Sequence, residues 1–171
     1  MKLTTLLLAS LLALLSPHCN FSQWGISAGI LTEKAVIGDI FYTSNNHIFH
    51  GGGSFQLSNA KGEEKYSRKS NYGLTTAGDG EEFYTIDFAY GYQFFDTLEV
   101  FIEFSVGKKK YYTNYIDNRF TDGGYHLVYD DDMISGIGYG LSFELTPKFQ
   151  IFASYNSIRK IGIGFRLKFI R

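Results

Sequence analysis

From Ile161 to Phe169 every second residue is large and apolar: Ile161, Ile163, Phe165, Leu167, Phe169. The residues between them are Gly162, Gly164, Arg166 and Lys168. A repeat of two is that of a β-strand, whose side chains point alternately to opposite faces. The same division runs through Tyr84–Phe94, Leu98–Val106, Ile137–Leu145 and Phe149–Asn156. In each, one row is bulky and mostly apolar, and the other is Gly, Ser, Ala or Thr with a few charges. A soluble barrel or sandwich puts its bulky apolar row inside. The inverted arrangement, with a greasy row outside and a small polar row inside, suits a barrel that faces lipid. Backbone amides in hydrocarbon have no water to bond, so such a sheet must close on itself.

The start of the chain fits export to a membrane. Lys2 precedes an apolar run, Leu6–Leu15, that is too short to span a bilayer as a helix. Small and polar residues follow, and cleavage is expected after Ser22. Residues 1–22 are therefore read as a signal peptide and 23–171 as one barrel domain. Cys19 is the only cysteine and falls before that cut. His18 precedes it, where a lipidation site takes a small residue. The formal net charge of −1 gives no ground for a nucleic-acid partner.

Strands are predicted at 24–31, 35–43, 47–58, 83–94, 97–112, 132–145, 149–156 and 160–169. That makes eight, the even number that single-chain bacterial barrels show. The expected fold is all-β: an eight-stranded antiparallel up-and-down transmembrane β-barrel. Short links follow the second, fourth and sixth strands, and long polar links (59–82 and 113–131) follow the third and fifth. The short links are placed in the periplasm with both termini, and the long ones outside. The glycines of "HGGG" in the third strand are read as a candidate bulge.

Eight strands leave an interior that side chains fill, so no open pore is expected. Asp39, Asp87, Glu99, Glu103, Glu144, Arg166 and Lys168 fall on the inward rows and should form one charge network, since unpaired charges there are costly. Lys108, Lys109 and Lys110 follow about ten membrane residues of the fifth strand. They are the candidate contact to lipopolysaccharide phosphates. Asp130, Asp131 and Asp132 read as a solvated loop foot without the spacing of a calcium loop. No metal or cofactor is expected. Of the mature histidines, His47 falls in a turn and His126 in a loop. His50 and Ser54 share the lumenal face with Asp39 or Asp87 across, but no histidine-x-serine pair lies on a lipid-facing strand. Catalysis is not expected.

With these features the chain resembles the small eight-stranded outer-membrane barrels, the OmpX/Ail group and the barrel domain of OmpA. The sharpest shared element is the last strand. Phe165, Leu167 and Phe169 look like the C-terminal signal that the outer-membrane assembly machinery reads, although Ile170 and Arg171 follow. The resemblance implies a monomer in the bacterial outer membrane, in contact with its lipid and lipopolysaccharide. The expected role is surface interaction with an extracellular ligand or host surface, through loops 59–82 and 113–131 and their tyrosines. The alternatives are a purely structural barrel and a lipid A-modifying enzyme of the acyltransferase or deacylase kind.

Overall fold

The computed structural model describes residues 22–95 and 97–169. Apart from Ser22, the expected signal peptide with Cys19 lies outside the described residues, as do Ile170 and Arg171. The strands are β1 (Gln23–Leu31), β2 (Ala35–Ser44), β3 (His47–Gln56), β4 (Glu63–Lys65), β5 (Thr75–Phe94), β6 (Leu98–Ile116), β7 (Gly124–Thr146), β8 (Phe149–Asn156) and β9 (Lys160–Phe169). The order β7-β6-β5-β3-β2-β1-β9-β8, closed by β7–β8, is an eight-stranded ring in which neighbours in sequence are neighbours in space. Every pairing within the ring is antiparallel. No described helix is long and apolar enough to cross a membrane. The crossing elements are the strands, and the chain is a transmembrane β-barrel.

The alternation maps onto the two faces. In β5, Tyr84, Ile86, Phe88, Tyr90 and Phe94 are exposed, while Thr85, Asp87 and Gln93 are buried. Trp24 and Phe169 pair across β1 and β9, and Tyr42 packs 5.0 Å from Trp24, so an aromatic cluster marks the edge of the apolar band. Tight turns after β2, β5 and β7 gather at this end, with the start of β1 and the end of β9; Asn45 makes the first turn with φ 53°. We call it the turn end, and the opposite one the loop end.

Three corrections to the sequence reading concern strand length and register. β1, β2, β3, β8 and β9 are 8–10 residues long, whereas β5, β6 and β7 have 20, 19 and 23. About 9–11 residues cross a membrane, so three strands continue beyond it by about ten residues, on the order of 30 Å. The outward row turns from Tyr84, Val106 and Ile137 to Glu82, Lys108 and Asp131 at the crossover. Much of the stretch expected as loops 59–82 and 113–131 is therefore a three-stranded blade. Only 57–74 and 117–123 are links, and 63–65 form β4 on the edge of β7. Alternation failed as a signal there because water lies on both sides of a blade, so neither face need be apolar. Secondly, Asp130–Asp132 and His126 lie within β7, not in a loop. Thirdly, "HGGG" is unbulged, since β3 keeps register with β2 and β5 throughout. The bulges sit instead at Thr76/Asp79, where Gly78 takes φ 102°, at Tyr111/Tyr112 and at Glu144/Thr146.

The two faces should respond differently to mutation. Phe88 is 56% exposed on the lipid side in mid-barrel, where an arginine costs about 2–4 kcal/mol. Ala89 points inward, level with His50 and Glu103 on the neighbouring strands and packed against the buried apolar cluster. In refolding into lipid vesicles, Phe88→Arg should lower the folded yield severely and Ala89→Ser only slightly. Equal yields would mean that the faces are wrongly assigned.

Candidate functional site: the lumen and the blade

Inside the ring the charges are layered. Nearest the loop end is Arg159, which is wholly buried. Its guanidinium pairs with Asp87 and Glu103 and donates to Ser54 Oγ at 3.3 Å. Ser54 and Thr85 share a 2.6 Å hydroxyl contact, and Asn156 donates to Glu103 and, at 3.0 Å, to Ser105. In the next layer Arg166 pairs with Glu99, which also accepts from Ser142 at 2.9 Å. His50 bridges Glu99 at 3.0 Å and Asp39 at 3.3 Å, and Ser27 donates to Asp39. At the turn end Lys168 pairs with Glu144, which accepts from Gln150 at 3.3 Å.

Glycines make room for this filling. A Cβ on Gly140 would collide with the Phe101 ring, one on Gly164 with Phe152, and one on Gly25 with Phe41. Each inward phenyl lies over a bare stretch of its neighbour strand. The rings close on Arg166, whose guanidinium carbon lies 4.8 Å from the Phe101 centroid, 5.1 Å from Phe152 and 5.8 Å from Phe41. A desolvated cation over aromatic faces gains about 2 kcal/mol. The small row seen in the sequence is therefore the set of sockets for the few large lumenal side chains.

Asp39, Asp87, Glu99, Glu103, Glu144, Arg166 and Lys168 all point inward, in three layers. Sequence reasoning missed Arg159, which enters the lumen from the β8–β9 turn. The signal available was arithmetic: five inward carboxylates were set against only Arg166 and Lys168. Among the described residues, the Lys and Arg side chains that enter the lumen, Arg159, Arg166 and Lys168, all come from this last hairpin. His50 and Ser54 face inward in different layers and bond different partners, so no Ser–His contact of the nucleophilic kind is made.

Above the barrel, residues 57–74 form a strap around the blade. On one face, Lys61 N–H donates to Asn114 Oδ1 at 2.8 Å and Tyr112 donates to Asn59 at 3.2 Å. At the edge, β4 pairs in parallel with Tyr125–Leu127. On the other face, Tyr72 packs against Phe120 and Tyr125. Gly62 turns the strap at φ 48°, where a Cβ would strike the carbonyls of Thr121 and Gly124. Asp117 fastens the end, accepting from Gly73 N–H at 2.7 Å and from Arg119. The Arg119 side chain and the Gly73 amide hold the Asp117 carboxyl well below the usual carboxylate range. Lys108, Lys109 and Lys110 stand at the foot of the blade, each with a carboxylate already in place: Asp131, Glu81 and Glu64 respectively. Phe165, Leu167 and Phe169 lie on the lipid face of β9.

Two measurements probe these contacts. In double-mutant cycles, Arg166→Met should couple strongly to Glu99→Gln and weakly to Glu103→Gln and Glu144→Gln. Stranding one member of a buried pair costs about 3–5 kcal/mol, and removing both costs much less. Secondly, a carboxyl with a lowered folded pKa stabilises the strap above the unfolded value, about 3.9, and the effect is lost as pH falls through the folded value. The strap should hold at neutral pH and loosen only below about pH 4. The Gly73 amide resonance should titrate in that acid range, and Asp117→Asn should speed its hydrogen exchange at neutral pH.

Neither a protein-family model nor a curated protein sequence matches the chain. Solved structures do. The N-terminal β-barrel domain of Pseudomonas aeruginosa OprF superposes with a TM-score of 0.50 at 12% identity, over 86% of this chain and 96% of that one. Neisserial surface protein A is similar at TM-score 0.48 and 12% identity, over 86% and 96% of the two chains. Yersinia pestis Ail, solved with a heparin analogue, is similar at 0.47 and 16%, over 86% and 94%. At these identities the likeness is one of architecture: the chain has the fold of the small eight-stranded outer-membrane β-barrels.

Proposed function

We propose that this protein is a surface-interaction protein of the bacterial outer membrane, and that the blade with its strap is the part that meets a partner. The observation that carries this reading is apolar surface held away from lipid. Tyr66, Leu74, Ile116 and Tyr129 are exposed on the blade and strap, beyond the charged row that ends the lipid band. Aromatic side chains on a rigid support suit recognition. β7 is paired only with β6 from Val128 to Gly136, between β4 and the start of β8. The filled lumen speaks against a conducting role, since each charged layer blocks the bore.

In this reading residues 1–22 direct export, and the turn end with both termini lies in the periplasm. Short turns there and a long blade outside follow the usual division of such barrels. The assembly machinery reads Phe165, Leu167 and Phe169 on the closing strand. Lys108 and Lys110, on the outward row, lie where lipopolysaccharide phosphates sit and would meet them by exchanging Asp131 and Glu64 as partners, whereas Lys109 turns to the inner side of the blade with Glu81. The protein acts as a monomer without a cofactor and catalyses no reaction. The buried His50 and Ser54 offer a lipid substrate no access.

The test compares cells displaying the full protein with cells displaying a barrel whose blade and strap are replaced by short turns. Adhesion to cultured cells and to immobilised matrix proteins should fall to background for the shortened form. Both forms should still show the mobility shift between unboiled and boiled gel samples that marks a folded barrel. Equal adhesion of the two would leave a purely structural barrel as the better reading.

A further inference from the structure

We propose that a cleft at the loop-end mouth binds a small apolar zwitterion, an apolar amino acid or short peptide with both ends free. The cleft lies between the blade's inner face and the turns after β1 and β8. Its volume is about 500 Å³, inside the range of about 300–1,000 Å³ typical of small-ligand sites.

The floor is apolar. Phe83, only 4% exposed, belongs to the buried cluster, and Ile134 and Ile158 pack against it. Ile158 precedes Arg159 in the chain, so the floor separates the cleft from the uppermost lumenal ion pairs. The rim is charged. Glu33 stands on the β1–β2 turn and Lys160 at the head of β9. On the blade side Lys109 pairs with Glu81 at 2.8 Å. Lys160 adopts φ 59° and its ammonium donates to the Ser157 carbonyl at 2.9 Å, which ties it beside the opening. The Glu33 carboxylate makes no ion pair or hydrogen bond among the described residues.

These features select the ligand's chemistry. Two carboxylates and two ammonium groups give a rim of no net sign, so a polyanion or polycation gains at one pair and is repelled at the other. A neutral hydrophobe would cover the floor but desolvate the rim charges without partners. An apolar zwitterion meets both demands. Its side chain covers Phe83, Ile134 and Ile158, its ammonium faces Glu33 and its carboxylate faces Lys160. The cleft lies on the inner face, apart from the strap, and shares with the open stretch of β7 only Ile134 and Ser135. The proposal therefore goes beyond surface attachment and can fail while that reading stands.

The experiment is calorimetric titration of the folded protein in nanodiscs with the dipeptide phenylalanyl-leucine, beside its N-acetylated and C-amidated forms. The free dipeptide should bind, and capping either end should weaken binding by about tenfold, the loss of one charge-assisted contact. Glu33→Gln should weaken the free dipeptide by a similar factor and leave the N-acetylated form unchanged. Ile158→Trp, which fills the cleft, should abolish binding while the folded-barrel gel shift persists. If Ile158→Trp fails to fold, Glu33→Gln alone decides. No binding by the free dipeptide, equal binding of capped and free forms, or equal loss of both on Glu33→Gln would overturn the proposal.

Discussion

Everything in this molecule follows from the requirement that a backbone in hydrocarbon bond only to itself. A sheet meets that demand only by closing, and here closure rests on β1 with β9 and β7 with β8. Closure at eight strands fixes a bore too narrow for solvent and wide enough for one layer of side chains at a time. The outside must then be apolar and the inside must fill that bore. The division of bulky and small rows is the sequence's answer to both conditions.

The lumen shows how a narrow polar interior becomes tolerable. A buried charge without a partner is costly. Asp87 and Glu103 share Arg159, Glu99 takes Arg166 and His50 together, and Glu144 takes Lys168. The phenyl rings of Phe41, Phe101 and Phe152 exclude water around Arg166 and also face its cation. Those rings fit only because Gly25, Gly140 and Gly164 leave space. Packing and electrostatics are thus one arrangement here: the glycines admit the rings, and the rings and acids hold the guanidinium.

How much of this was legible depended on whether lipid lay on one side. Where it did, as for Phe88 against Ala89, alternation revealed the strand and its faces. Register was not legible, because every alternating strand can slide by two residues without changing face. The partner of Arg166 could not be read for that reason. Arg159 escaped because an arginine in a turn reads as solvated, and only the excess of inward carboxylates hinted otherwise. The blade escaped because "TTAGDGEE" carries the glycines and acids of a turn. It is held extended by the tyrosine-rich β6 alongside, with Gly78 absorbed as a bulge and Asp79 accepting from Thr113 Oγ1 at 2.6 Å.

The chain order of the lumenal charges has a consequence for biogenesis. Asp39, Asp87, Glu99, Glu103 and Glu144 are all made before residue 145, whereas Arg159, Arg166 and Lys168 arrive with the final hairpin. A chain that has placed its first six barrel strands has an inner face of carboxylates with, among the described residues, only His50 to oppose them. It also has two open edges. The hairpin that seals the edges is the same one that neutralises the bore, so the two steps cannot be separated. A product truncated before β8 lacks both the strands that close the ring and the cations that pair with its inward carboxylates. The last hairpin is thus at once the seam of the sheet and the counter-charge of its bore.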